Sequence, residues 1–166
     1  MGTTVQDKRQ RSYGVYKNAL ILAIVGGLAF WAATIAISLL PIAAEYRAAE
    51  SISNIQMVWV GSLPGGMIIG CLVSFSLLRF FDKIPTKNPI LKSVILSFIA
   101  LVIATILLEV PASFRASDAL YYFLIDEMLN VPRFLVLGIV IGYLYKRLYK
   151  GSNPAVITSK APQVDS

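Results

Sequence analysis

The sequence has no histidine and a single cysteine, Cys71. Without histidine there is no imidazole to ligate haem or zinc and none to act as a general base. One cysteine makes neither an internal disulfide nor a CxxC redox pair. Serine chemistry needs a lysine or carboxylate base beside a serine in a strained turn, and no such arrangement occurs. The chain is therefore not expected to be an enzyme, and no catalytic residue, metal ligand or cofactor motif is assigned.

Charge is scarce as well. Only 14% of the 166 residues are charged, against about 25% in an ordinary soluble domain. Hydrophobic residues make up 57%, more apolar surface than a soluble fold of this length can hide, whereas lipid accepts it as solvent. The net charge of +6 comes with no basic helix or aromatic platform for RNA, so no nucleic-acid partner is expected. It is attributed to membrane topology and to attraction for anionic lipid.

What is present in quantity is long uncharged runs. A helix rising about 1.5 Å per residue needs roughly 20 residues to cross a bilayer. Residues 19–40 and 57–78 meet this without a single charge. A third span is expected over 90–109, with Lys92 snorkelling to the headgroups. The fourth, over 128–148, has an uncharged core of only twelve residues, Phe134–Tyr145, and must include Pro132 and Arg133. Tyr143, Tyr145 and Tyr149 with Lys146 and Arg147 read as an interfacial anchor. The fold class is thus an all-α integral membrane protein with four transmembrane helices.

Lysine and arginine set the orientation. Twelve fall in the two tails and the middle loop, whereas only Arg47, Arg115 and Arg133 lie on the opposite side. This predicts both termini on the cytoplasmic side of the cell membrane. Polar tails are expected at 1–16 and 151–166, the latter disordered, with hairpins over 17–82 and 87–150. The first span is too long for a signal peptide, and position 6 lacks the Ser or Thr of a myristoylation motif.

The two hairpins read as one unit written twice. Lys17-Asn18 recurs as Lys87-Asn88, and a proline, Pro41 or Pro111, follows each lysine by 24 residues. Arg47 and Arg115 each precede a proline by 17 residues, Pro64 and Pro132; a glycine follows after six, Gly70 and Gly138, and an arginine after nine more, Arg79 and Arg147. A two-span unit repeats without inverting, so the copies would be related by an axis along the membrane normal. The competing reading is that any membrane hairpin carries basic residues inside and prolines at its ends.

Polar chemistry has two candidate places. Pro64, Gly65 and Gly66 in the second span are expected to kink or break the helix and free backbone groups for an ion or solute. Against this stands plain helix packing by the small-xxx-small residues Gly61, Gly65, Gly66 and Gly70, and likewise Gly138 and Gly142. In the fourth span Asp126, Asn130 and Arg133 share a helical face, with Glu127 beside them. In the repeat they fall opposite Val58, Ser62 and Gly65, within the span rather than in a loop. They are candidates to hold a cation, a proton or an anionic solute. Alternatively, residues 117–129, amphipathic through Leu120, Tyr121, Leu124, Ile125 and Met128, lie flat on the outer surface. Arg47 with Glu50, and Arg115 with Asp118, are spaced for i,i+3 ion pairs across the outer loops.

Two functions follow as expectations. The first is a helix-packing scaffold or accessory subunit of a membrane complex. The second is a small solute or ion transporter or channel protomer, using the Pro64–Gly66 break and the Asp126/Asn130/Arg133 face. Membrane lipid, and a second copy or other membrane-protein subunits, are the expected partners.

Overall fold

The structure, a computed structural model, describes residues 3–49, 52, 54–109 and 119–149. Among them it is all-helical. The elements are α1 (Thr3–Ser38), α2 (Pro41–Ala49), α3 (Ile55–Phe80), a 3-10 turn (Phe81–Lys83), α4 (Pro89–Ala104) continuing as a π-helical turn (Thr105–Glu109), and α5 (Ala119–Tyr149). The expected tail at 1–16 is helical from Thr3 and runs unbroken into the first apolar stretch. Its Gln, Arg and Lys residues favour helix, and no proline interrupts them.

Local chemistry sets the ends. Asn54 Oδ1 accepts from the Gln56 amide at 2.9 Å, and Asn88 Oδ1 from the Ile90 amide at 3.0 Å. These asparagines are N-caps that satisfy amides with no partner inside the helix. Pro89 and Pro41 each open a helix, where a missing N–H costs nothing.

Among the described residues, three helices are long and apolar enough to cross a membrane: Tyr16–Ser38, Ile55–Phe80 and Pro89–Leu107. The fourth long helix, α5, has 31 residues and carries charge near its beginning. The helices close into a ring. α1 lies against α3 and α5, α4 lies against α5 and more lightly against α3, and α3 and α5 face each other across the diagonal. The α3–α4 connection and the basic residues Arg79, Lys83, Lys87, Lys146 and Arg147 lie at one end, called here the basic end, and α2 lies at the other.

The pattern of burial is that of a bundle in lipid. Thr34, Ser74, Ser93, Ser97 and Asn130 are buried, while Leu20, Ile24, Leu28, Val60, Ile68, Leu72, Ile99 and Ile103 are exposed. The core between the helices consists of Leu22, Phe30, Val73, Leu77, Leu101, Phe134, Leu137 and Ile141. Phe30 and Phe134 meet edge to face at 5.3 Å and join α1 to α5.

In lipid the hydrophobic effect does not drive helices together, so close backbone approach has to supply the attraction. Small residues allow it. A Cβ on Gly70 would lie 2.6 Å from the Ala23 carbonyl oxygen and 2.9 Å from the Gly27 nitrogen. On the other hairpin, a Cβ on Gly138 would lie 2.8 Å from Val94 Cα, and one on Gly142 2.5 Å from Ile90 Cα. Gly66 sits against Gly27 and Phe30. Among the described residues, a Cβ on Gly61 or Gly65 would meet nothing within 4 Å, so neither takes part in packing there.

At the basic end Lys92 is only 6% exposed. Its Nζ donates to the Phe81 carbonyl and lies 3.8 Å from the centre of the Phe81 ring. Phe81 stacks on Tyr145 at 4.7 Å, and Tyr145 on Tyr149 at 4.5 Å. Lys92 therefore does not snorkel outward. The helix-terminal carbonyl at Phe81 and the ring face attract the ammonium more strongly than the surface does, since both carry partial negative charge.

Candidate functional site

The second polar region lies at the α2 end. α5 is helical from Ala119 through Pro132, so residues 119–129 continue the fourth long helix instead of forming a separate surface segment. This places Asp126, Asn130 and Arg133 on one face. Asn130 Nδ2 donates to Asp126 Oδ2 at 3.3 Å, and Arg133 Nη1 donates to Asn130 Oδ1 at 2.8 Å. Asn130 is 8% exposed, and its two neighbours are half-buried. The amide is the pivot, since its NH2 donates while its carbonyl oxygen accepts. The face expected from spacing thus exists as a hydrogen-bonded ladder running along the helix.

Glu127 stands apart from it. One residue on is about 100° round the helix, and there Glu127 Oε1 meets the Thr105 hydroxyl where α4 passes into its π turn. Asp126 and Glu127, adjacent in sequence, thus serve different surroundings.

Pro64, Gly65 and Gly66 lie within a continuous α3, helical from Ile55 to Phe80 with Pro64 exposed. Gly66 packs on α1, and Phe30 of α1 in turn meets Phe134 of α5. The proline–glycine stretch and the Asp126–Arg133 ladder sit on diagonal helices, with α1 side chains between them.

The α2 end also holds polar contacts that spacing did not reveal. Arg47 Nη1 donates to the Ser38 carbonyl at 2.6 Å, which caps the last residue of α1 with a cation where the helix dipole is negative. Glu50, Arg115 and Asp118, the other members of the expected ion pairs, lie outside the described residues. Trp59 Nε1 donates to Ser38 Oγ at 2.9 Å, and Trp31 Nε1 donates to the Trp59 carbonyl at 2.8 Å, which ties α1 to α3. α2 then folds over α5, where Ala43 packs with Ile125 and Leu129, flanked by Tyr46 and Tyr122. These partners come from residues nine to 28 positions apart or from different helices, so no local spacing announces them. Thr105 carried no sequence signal at all, being one hydroxyl in an apolar run.

The fold and the site together define an all-helical bundle with helices long and apolar enough for a membrane, and with its polar groups turned inward. No family model matches the chain, and comparison with curated proteins and with solved structures finds no match.

Proposed function

We propose that the protein crosses the cell membrane four times with both termini in the cytoplasm, as two copies of one hairpin, and works as a helix-packing scaffold or accessory subunit. For α5 as the fourth span, the support is its outward face: Leu124, Met128, Val131, Leu135, Val136 and Ile139 are all exposed, a surface suited to lipid. For duplication, the support is the crossing points. Gly70 meets Ala23 and Gly27, while Gly138 meets Val94 and Ser97. In the repeat Gly70 corresponds to Gly138, and Gly27 to Ser97.

One observation carries the scaffold reading. Gly26, Gly27, Gly66, Gly70, Gly138 and Gly142 each press on a neighbouring helix, whereas Gly61 and Gly65 leave open space on α3. They stand one turn apart beside exposed Met57, Ile68 and Leu72, where a further helix can approach closely. The Asp126–Asn130–Arg133 ladder, by contrast, is engaged in its own hydrogen bonds, which gives the transporter reading less support.

Cross-linking in native membranes tests this. In a Cys71→Ser background, Gly61→Cys is expected to give an adduct at twice the chain mass, or a larger one with another subunit. Ile139→Cys, on α5, should give none. If Gly61→Cys yields no adduct either, the scaffold reading fails.

A further inference from the structure

The two hairpins place an arginine at matching positions, and helix geometry sets where each one points. Arg79 follows Gly70 by nine residues, and Arg147 follows Gly138 by nine. Nine residues at about 100° each make two and a half turns, so each arginine lies opposite its glycine. The glycines press on the other helix of their hairpin, Gly70 on Ala23 and Gly27, and Gly138 on Val94. The arginines therefore face away from that contact, and both are exposed.

Each arginine also stands at the foot of an apolar stripe. On α3, Ile68, Leu72 and Phe75 are exposed, with Phe75 one turn before Arg79. On α5, Val136, Ile139 and Tyr143 are exposed, with Tyr143 one turn before Arg147. From Ile68 to Arg79, and from Val136 to Arg147, is eleven residues. At 1.5 Å each this is about 16 Å, half of the roughly 30 Å of bilayer hydrocarbon. Such a stripe takes an acyl chain of one leaflet and leaves the guanidinium at headgroup depth. Among the described side chains the carboxylates are Glu45, Asp126 and Glu127, and all three lie toward the α2 end. None of them answers either arginine.

We propose that Phe75 with Arg79, and Tyr143 with Arg147, form two matched sites for anionic phospholipid in the leaflet at the basic end. The guanidinium fork donates two parallel hydrogen bonds to a headgroup phosphate, and the net charge of the lipid balances the cation. A soluble anion would leave the stripe bare, and a zwitterionic lipid brings its own cation beside the phosphate. The sites rest on the reading that α5, as well as α3, crosses the membrane. Arg79 is 18 residues from Gly61, about 27 Å along α3, so the α3 surface proposed for assembly stands or falls separately.

The test is native mass spectrometry of the full chain released from nanodiscs of equal parts phosphatidylglycerol and phosphatidylcholine with the same acyl chains. Two lipids per chain are expected to be retained, phosphatidylglycerol over phosphatidylcholine by about fivefold, the factor that one cation near a membrane surface supplies. Glycerol phosphate, the headgroup without its chains, should displace neither; displacement overturns the lipid assignment. Arg79→Gln and Arg147→Gln should each remove one lipid, and the double variant should bring the two lipids to parity. Lys87→Gln, outside any helix and below no stripe, should keep both. Equal retention of the two lipids by the wild-type chain, read without any variant, overturns the proposal. So does a preference that survives the double variant, or a loss in Lys87→Gln equal to that of either arginine, since both mean diffuse charge without sites. Whether α5 crosses is read independently, in a Cys71→Ser background. Ile139→Cys should be shielded from a water-soluble maleimide in the membrane, and labelling there overturns the fourth span and the Arg147 site with it.

Discussion

Residues with the same identity do different work in this protein, and neighbours in space decide which. Gly70 and Gly65 lie on the same helix, yet Gly70 faces the α1 backbone and Gly65 faces open space. Gly70→Leu forces the α1–α3 crossing apart and is expected to cost about 1–3 kcal/mol, the range of an overpacked core. Gly65→Leu should leave thermal unfolding of the isolated chain unchanged or slightly improved, because leucine favours helix over glycine. Melting curves of the two variants in one detergent check this, and an equal loss in both would show that the α3 surface is not free. Lysine behaves likewise. Exposed Lys83 lies 5.4 Å from the Phe80 ring, while Lys92 is drawn inside by a carbonyl and a ring.

At the scale of elements, α2 is the piece least able to stand alone. Nine residues are too few for an independent helix in water. α2 is held by Pro41 at its start, by the Arg47 bond to Ser38 and by the Ala43 contact with Ile125 and Leu129. Arg47→Ala removes a charge-assisted bond to a helix terminus and is expected to cost about 1–2 kcal/mol. The loss should be local. Amides of residues 41–49 should exchange faster with solvent while those of α1 and α3 stay protected. Uniformly faster exchange would mean that Arg47 supports the whole bundle instead. α5 is the opposite case. It is long enough to hold its own geometry, so Pro132 is accommodated within it and the Asp126–Arg133 ladder is carried rigidly.

For the whole molecule, the ring order α3, α1, α5, α4 puts each hairpin's two helices side by side, with the α1–α5 contact as the main seam between hairpins. The packing inside each hairpin is thus largely local in sequence, and the seam is a separate step built on Phe30 and Phe134. Residues 1–86 and 87–166, expressed together as separate chains, should therefore co-purify. Phe134→Ala should weaken that association more than it disturbs either hairpin. Failure of the two pieces to associate would mean that the hairpins are not independent units.

The all-helical class and the three helices long and apolar enough to cross a membrane were legible in the sequence, because lipid makes crude demands. A span must be long, apolar and internally hydrogen-bonded, and those demands leave runs that can be counted. The face shared by Asp126, Asn130 and Arg133 was legible too, since helical geometry fixes which residues line up. Tertiary structure alone decided which partner each polar group found. Asp126 and Glu127 differ by about 100° of rotation; the ladder is built within α5, and only the placing of α4 gives Glu127 its hydroxyl. It also decided that Lys92 points inward, that Arg47 caps α1, and that Gly61 and Gly65 remain uncovered. The absence of histidine and the single cysteine excluded imidazole ligation, an internal disulfide and a CxxC pair from the start. Where the remaining polar groups converge depends on contacts between helices, and such contacts have no period in the sequence to betray them.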